Sequence, residues 1–292
     1  MTLPTALSDA IVGFGAVLDA ALITKTAALF VPLHRPVPSG QAGTIVTEDV
    51  AYGPDPRHRL DLFQPGNADN RPVLLFAGGG GLMVDAMRRG SPLRGNVGLW
   101  AARNRLLGVT MTYRLAPRHQ WPAGARDVAD AIGWLQANAA RYGGNPSQIF
   151  VVGHSAGAGH VATAIAKFGR DAPAGRGIAG AVLISGLYDL LTLPNGPNKA
   201  YFGDDPRLYA ERSAVPDLFG STLPLLIAVA ELDPPQFVSQ AVALVTGLYQ
   251  ARGRLPRFIR LSGHNHASIV QHIGAVETNL TAEIADFIAS GR

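Results

Sequence analysis

The stretch Gly153-His154-Ser155-Ala156-Gly157 places one serine between two glycines, where two different sequence patterns meet. Residues 149–152, Ile-Phe-Val-Val, are apolar and β-rich, which predicts a buried strand. Residues 156–167 are rich in alanine and contain no proline, which predicts a helix. A strand that turns directly into a helix holds its corner side chain above the sheet, where a serine hydroxyl can act as a nucleophile. The alternative interpretation is a glycine-rich turn whose serine has no chemical role.

A nucleophilic serine needs a base within hydrogen-bonding distance, and histidine suits this role because its ordinary pKa is about 6.5. In a parallel sheet, such partners gather just beyond the carboxyl ends of the strands. His264 and His266 follow a predicted strand at residues 257–261. His266 leads into the last predicted helix and is our candidate base, whereas His264 is expected to orient the loop. A His-x-His pair without a further ligand nearby in the sequence is weak evidence for a metal site.

Two acidic residues follow the predicted strand at residues 223–230. Asp233 comes just before a proline and a new helix, and from there it could hold an imidazole in the required tautomer. Its alternative role is a helix N-cap, a position at which aspartate is favoured. Glu231 lies nearer the strand end and is the second candidate for the acid.

Four consecutive glycines, Gly78 to Gly81, follow a predicted strand at residues 73–77. An acyl-transfer site needs hydrogen-bond donors for the oxyanion of the tetrahedral intermediate. The glycine run offers backbone N–H groups without obstructing side chains, and the N–H of Ala156 offers another. The alternative is a flexible loop, but the position directly after a strand favours an oxyanion loop.

The composition excludes several classes of protein. The 292 residues are 47% hydrophobic, and 25 basic against 21 acidic side chains give a net charge of +4. The basic residues are scattered, and pairs such as Arg88-Arg89 lack interleaved aromatic residues, so nucleic-acid binding is not expected. Because the chain has no cysteine, it has no disulfide, no Cys-ligated zinc and no thiol nucleophile.

Residues 10–33 are apolar, but Asp19 and Lys25 interrupt them before the ~20 residues that a membrane span requires. No basic residue precedes this stretch, which argues against a secretory signal and makes the cytoplasm the default location. A membrane-surface helix is the weaker alternative, since the segment lacks a basic face. An amphipathic helix in a small cap, residues 1–40, is predicted by apolar residues at helical spacing: Ile11, Phe14, Leu18, Leu22 and Ile23.

Predicted strands and helices alternate along most of the chain, which favours a single α/β domain over residues 41–292. The predicted strands cover residues 44–52, 58–63, 73–77, 108–113, 149–152, 178–185, 223–230 and 257–261. The predicted helices cover residues 99–107, 122–141, 156–167, 234–251 and 266–290. The irregular segment 191–220 is rich in proline and glycine, so we expect a substrate-side insertion there.

Over roughly residues 44–290, the chain resembles the hormone-sensitive-lipase-like carboxylesterases of the α/β-hydrolase superfamily. The resemblance is carried by the glycine loop at 77–80, Tyr-Arg-Leu-Ala-Pro with Trp-Pro-Ala and Asp at 113–127, the elbow at 153–157, and the segments 231–234 and 264–266. The elbow histidine and the last two segments are most similar to the esterase and kynurenine-formamidase-like branch. The implied fold is a mostly parallel, eight-stranded sheet flanked by helices, with a small N-terminal helical cap and an insertion.

The resemblance implies a triad of nucleophile, acid and base: Ser155, Asp233 and His266. It implies an oxyanion hole formed by the backbone of three residues: Gly79, Gly80 and Ala156. Ala77 stands where the family carries the histidine of its glycine loop, so another group must anchor that loop. Arg118 stands where the family usually has an acidic residue, which alters the local ion pairing. Tyr113 and Arg114 are expected to belong to the scaffold.

These patterns predict a serine hydrolase that cleaves carboxylic esters of small to medium acyl chain through an acyl-enzyme, without metal or organic cofactor. The expected partner is a small-molecule ester; nucleic acid and a membrane span are not expected, and a homodimer is allowed for. The first alternative is an arylformamidase-like amide hydrolase, because the same apparatus cleaves formamides. The second is a non-catalytic ligand-binding protein that kept the fold.

Overall fold

The computed structural model describes residues 2–34, 43–66, 69–84, 93–168, 178–276 and 278–291. Eight strands of this part of the chain form one sheet. They are β1 (Thr44–Ala51), β2 (Arg59–Pro65), β3 (Arg71–Ala77), β4 (Leu107–Met111), β5 (Gly144–His154), β6 (Ile178–Ile184), β7 (Leu225–Leu232) and β8 (Arg257–Asn265).

The described residues also form ten α-helices, most of which connect one strand to the next. They are α1 (Thr5–Phe14), α2 (Ala20–Phe30), α3 (Asn96–Arg103), α4 (Ala123–Asn138), α5 (Ala156–Thr163), α6 (Lys199–Phe202), α7 (Tyr209–Arg212), α8 (Pro235–Arg252), α9 (Ser268–Gln271) and α10 (Asn279–Ser290). Shorter 3₁₀ or π turns lie at Val31–Leu33, Ala139–Tyr142, Ala164–Phe168, Leu190–Thr192, Pro206–Leu208 and Asp217–Gly220.

The strands lie in the order β1-β2-β4-β3-β5-β6-β7-β8. The β1–β2 and β2–β4 pairs are antiparallel, and the other neighbouring pairs are parallel. The predicted eight-stranded, mostly parallel sheet with flanking helices is confirmed. Since the parallel strands run the same way, their carboxyl ends meet at one edge of the sheet, where β5, β7 and β8 deliver the predicted site residues.

A hydrophobic layer covers each face of the sheet. Successive side chains of β3 alternate between the layers: Leu75 belongs to the layer under α4, α5 and α8, and Leu74 to the layer under α3 and α10. A third, smaller cluster of Leu3, Ile11 and Phe30 joins the two N-terminal helices. The continuous apolar runs that predicted buried strands are therefore explained by helices on both faces.

The N-terminal stretch, predicted as one amphipathic helix, forms two helices. Gly15 has a φ of 78°, a left-handed conformation that ends α1. Asp19 then caps α2 by accepting a hydrogen bond from the N–H of Leu22 at 2.7 Å. None of the helices in the described ranges is long and apolar enough to cross a membrane.

The last predicted helix, residues 266–290, is wrong in its extent. The chain instead forms α9 and, after a break, α10. Gly274 in the break has a φ of 85°, and Thr278 caps α10 through a capping box with Thr281. The predicted helix at 99–107 is also displaced, since α3 ends at Arg103 and β4 already begins at Leu107.

Candidate active site

Ser155 occupies the sharp turn between β5 and α5. Its φ of 54° and ψ of −121° are strained for a residue with a side chain. The N–H of Ser155 donates to the carbonyl of Ile184 at the end of β6, at 2.9 Å. A Cβ on Gly157 would overlap the carbonyl oxygens of Ala77 and Gly78, so only glycine lets the end of β3 lie against this turn.

The structure brings Ser155, His266 and Asp233 together at the carboxyl edge of the sheet. His266 Nε2 lies 2.9 Å from Ser155 Oγ, and His266 Nδ1 lies 2.6 Å from Asp233 Oδ1. An ionised carboxylate only accepts hydrogen bonds, so Nδ1 carries the proton and Nε2 presents its lone pair to the serine hydroxyl. The three residues are 9%, 3% and 4% exposed, respectively, so bulk water competes little with these contacts.

The second carboxylate oxygen of Asp233 is held by two neutral donors. Oδ2 accepts from Ser185 Oγ at 2.6 Å and from the N–H of Ala230 at 2.7 Å. Asp233 makes no cap for α8, whose N-cap is Pro234. The N-cap alternative from the sequence is therefore replaced by a carboxylate that points back towards the sheet.

Sequence reasoning missed Ser185. It directly follows β6, and polar residues after parallel strands are expected at the site, so its position could have predicted it, as for Asp233 and His266. Its φ of 49° marks it as strained, like Ser155. Ser185 is fully buried, and its hydroxyl fixes the orientation of the Asp233 carboxylate.

Glu231, the second candidate acid, joins two strands instead of contacting the predicted base. Its Oε1 accepts from Arg260 at 2.9 Å, and its Oε2 accepts from the N–H of Gly263 at 2.7 Å. The hydrogen bond from Gly263 lowers the pKa of this carboxyl below its ordinary value. Glu231 therefore ties the end of β7 to β8 from the outside of the site.

His154, the residue before Ser155, contacts both the backbone and the ring of His266, the predicted base. Its Nε2–H donates to the backbone carbonyl of His266 at 2.9 Å, and the two ring centroids are 4.9 Å apart. Burial lowers the pKa of His154 to about 3, so the ring is neutral and Nδ1 carries a lone pair. A Cβ on Gly79 would lie 3.2 Å from this Nδ1, which places His154 between the glycine loop and the His266 loop.

His264 turns away from the serine. Its Nδ1 lies 3.2 Å from Ser268 Oγ, and its ring packs on His272 at 4.6 Å between centroids. Burial lowers the pKa of His264 to about 4. The two residues of the His-x-His pair thus bind different partners, and His264 stabilises the turn into α9.

The glycine loop has anchors that stand in for the family histidine missing at Ala77. Tyr113 Oη donates to the carbonyl of Gly78 at 2.7 Å, and Asn198 Nδ2 donates to the carbonyl of Gly81 at 3.2 Å. A Cβ on Gly79 would lie 3.0 Å from Ser155 Cβ, so this loop passes directly over the serine. Tyr113, predicted to belong to the scaffold, thus holds the backbone of the glycine loop.

A cavity of about 890 Å³ opens in front of Ser155. Helix α2 with the preceding Leu18, and the segment 191–220, both contribute to its mostly apolar wall: Leu18, Ala20, Ile23, Thr24 and Ala27 from the first, and Asn198, Tyr201, Phe202, Arg212 and Ala214 from the second. His160 of α5 also lines this cavity, where its ring packs between Tyr113 and Tyr201.

The sequence pattern of the alpha/beta hydrolase fold family matches residues 73–270, more than half of the chain. The chain belongs to the alpha/beta hydrolase fold family. The resemblance found in its sequence motifs is thereby confirmed.

This alpha/beta hydrolase is 28% identical over 266 residues to "Esterase LipQ" of Mycobacterium tuberculosis, covering 83% of this chain and 62% of that protein. It is 33% identical over 118 residues to "Isoprenylcysteine alpha-carbonyl methylesterase ICME" of Arabidopsis thaliana, covering 40% and 26%. The chain therefore spans less than two thirds of the length of either relative. Among solved structures, a Pyrobaculum calidifontis esterase superposes with a TM-score of 0.72 at 21% identity, covering 99% of this chain and 98% of that one. At this identity, the likeness concerns the fold.

Proposed function

We propose that this alpha/beta hydrolase is a serine carboxylesterase that cleaves esters of small to medium acyl chain. The observation that carries the proposal is the continuous contact from Ser155 Oγ through the His266 ring to Asp233, at 2.9 and 2.6 Å. It faces a mostly apolar cavity of about 890 Å³, within the range of small-molecule sites. The esterase names of the relatives support the same chemistry.

In the first half of the reaction, Ser155 Oγ attacks the ester carbonyl carbon while His266 Nε2 takes the hydroxyl proton. The carbonyl electrons move onto oxygen, and the oxyanion accepts hydrogen bonds from backbone N–H groups of Gly79, Gly80 and Ala156. The Ala156 N–H is suited to this role because the first N–H of a helix has no intrahelical acceptor. When the intermediate collapses, the C–O bond to the alcohol breaks and Nε2 returns the proton to the leaving oxygen.

In the second half, water replaces the alcohol. His266 Nε2 takes a proton from water as the water oxygen bonds to the acyl carbon. When the second tetrahedral intermediate collapses, the bond from the acyl carbon to Ser155 Oγ breaks, Nε2 returns the proton to Oγ, and the acid is released. Asp233 stabilises the imidazolium that forms in each half. Since Ser185 and Ala230 hold Oδ2, Oδ1 remains aimed at the ring throughout.

The acyl and alcohol groups would lie along the cavity wall on either side of Ser155. Because α2 and the segment 191–220 supply much of that wall, their side chains would set the accepted ester size. The arylformamidase alternative, the homodimer, the division into cap and catalytic domain, and the cytoplasmic location stay predictions.

The proposal is tested with Ser155→Ala and p-nitrophenyl butyrate. We expect kcat to fall by about 10⁴-fold or more, because the nucleophile is removed while the rest of the cavity is kept. Ser239→Ala is the matched control, since this serine lies on α8 and donates to the carbonyl of Pro235, one turn earlier in the same helix, at 2.9 Å. Hydrolysis by Ser155→Ala at the wild-type rate would exclude Ser155 as the nucleophile, and a wild-type protein that turns over no ester would favour a binding protein.

A further inference from the structure

Helix α2 presents different residues to the cavity and to the body of the protein. The side that lines the cavity follows the i, i+3, i+4, i+7 spacing of one helix face: Ala20, Ile23, Thr24 and Ala27. Leu22, Thr26 and Phe30 of the same helix are buried, with exposed fractions of 3%, 0% and 0%. Thr26 is therefore a fully buried polar side chain on the inner face of the helix, where a hydroxyl needs a hydrogen-bond partner.

The partner of Thr26 is Asn265, the residue before His266. Asn265 Nδ2 donates to Thr26 Oγ1 at 3.0 Å. Asn265 Oδ1 accepts from the N–H groups of Ala267 at 3.1 Å and Ser268 at 2.8 Å. Because two N–H groups point at one end of the amide, that end is the oxygen, and the other end must donate to Thr26. The buried Asn265 side chain thus binds the backbone that follows His266 and links it to α2.

The N-terminal helices approach the predicted triad at two further points. Ser8 of α1 lies against Gly263, three residues before His266. A Cβ on Gly263 would overlap the hydroxyl of Ser8. Leu232, the residue before Asp233, packs against the buried apolar cluster of the two N-terminal helices. The segments that carry the base and the acid are therefore both backed by α1 and α2.

We infer that Thr26 is a positioning residue, which acts through Asn265 to hold His266 Nε2 in line with Ser155. The N-terminal helices would then have two separable roles: one face of α2 shapes the cavity, and Thr26 fixes the base. This role rests on the proposed function, since it is exerted through His266. Thr26 itself need not touch the ester, so its loss affects esters of every chain length alike.

The test replaces Thr26 with valine, which keeps the side-chain shape but leaves Asn265 Nδ2 without its acceptor. We expect kcat for p-nitrophenyl acetate and for p-nitrophenyl hexanoate to fall by the same factor, about 10-fold, with KM unchanged. Thr26→Ser keeps the hydroxyl and is expected to restore kcat to within about twofold of wild type. A purely steric role of α2 would instead change the ratio between the two esters.

Thr281→Val is the matched control, because it removes another buried threonine hydroxyl, in α10. It is expected to lower the melting temperature while leaving kcat per folded molecule unchanged. If Thr26→Val does not fold, Thr26→Ala is compared with Thr26→Ser in the same way. An unchanged kcat in the hydroxyl-free variant, no recovery in Thr26→Ser, or an equal loss in Thr281→Val would each overturn the inference.

A second readout does not depend on turnover. The NMR resonance of the proton between His266 Nδ1 and Asp233 Oδ1 should move in Thr26→Val and return in Thr26→Ser. Identical resonances in all three proteins would contradict the positioning role. A wild-type protein without ester turnover would contradict the proposed function instead, so the two failures are distinguishable.

Discussion

Two buried histidine–aspartate pairs in this molecule have different surroundings. His266 Nδ1 lies 2.6 Å from Asp233, and His58 Nε2 lies 3.1 Å from Asp127 on α4. All four residues are at most 4% exposed. A carboxylate beside an imidazole is therefore not sufficient to define a catalytic pair.

The first difference is the charge of the other donors. Asp127 accepts from Arg114 through Nη2 at 2.5 Å, Nε at 2.8 Å and the backbone N–H at 2.7 Å, so its charge is neutralised by a guanidinium. Asp233 instead receives the hydroxyl of Ser185 and the N–H of Ala230, which are neutral. Its negative charge stays available to an imidazolium on His266.

The second difference is the far nitrogen of the imidazole. His58 Nδ1 accepts a long hydrogen bond from the N–H of Asp55, at 3.4 Å, and the ring stacks on Tyr52 with centroids 4.8 Å apart. His266 Nε2 meets the hydroxyl of Ser155 at the wall of the cavity. The His58–Asp127 pair therefore stabilises the scaffold, whereas the His266–Asp233 pair is accessible from the cavity through the contact with Ser155.

The largest expected effect comes from replacing the two aspartates in turn. Asp233→Asn should lower kcat by about 10⁴-fold, because the amide favours the wrong tautomer of His266 and gives the imidazolium no counter-charge. Asp127→Asn should leave kcat per folded molecule unchanged and lower the free energy of unfolding by about 1–3 kcal/mol, because the partly exposed Arg114 loses its charged hydrogen-bond acceptor. Steady-state hydrolysis and urea unfolding of both variants measure the two effects. Equal losses of kcat would remove the distinction between the pairs.

The sequence predicts the contacts of the second pair better than the residues that support it. Because residues after parallel strands meet at one edge of the sheet, strand order alone predicts that Ser155, Asp233 and His266 lie together. Asn265 and Thr26 are 239 positions apart, and Thr26 belongs to none of the sequence motifs, so their hydrogen bond could not be predicted.

The boundaries of the elements show the same limit. Buried strands such as β4 and β6 are predicted well, because both faces are covered and all their residues except Thr110 are apolar or glycine. The single helix predicted over 266–290 is wrong, because the left-handed turn at Gly274 and the cap at Thr278 interrupt an apolar pattern that continues through them. Local backbone geometry thus overrides hydrophobic periodicity.

A smaller expected effect is the pH dependence of stability, which comes from buried histidines whose hydrogen-bond partners are neutral. Burial lowers the pKa of His272 to about 3, and its ring bonds the Ser268 carbonyl at 2.9 Å and the Thr278 hydroxyl at 2.8 Å. The unfolded chain takes up this proton near pH 6.5, so between pH 6.5 and about 3 the unfolded state binds more protons. The free energy of unfolding should therefore fall as the pH is lowered through this window, by about 1.4 kcal/mol per pH unit for each such ring.

Urea unfolding of wild type and His272→Asn at several pH values measures this slope. The variant should show a shallower dependence, by about one proton, whatever its stability at neutral pH. Parallel pH dependences would mean that the His272 ring is protonated in the folded protein as readily as in the unfolded chain.

The most direct test of Ser155 as the nucleophile is covalent labelling with a fluorophosphonate, followed by mass mapping of the peptides. We predict one adduct per chain, on the peptide that contains Ser155, with esterase activity lost in step with labelling. Labelling should be as fast in Asp127→Asn as in wild type and much slower in Asp233→Asn. An adduct on another serine, or full ester turnover by the labelled protein, would contradict the assignment.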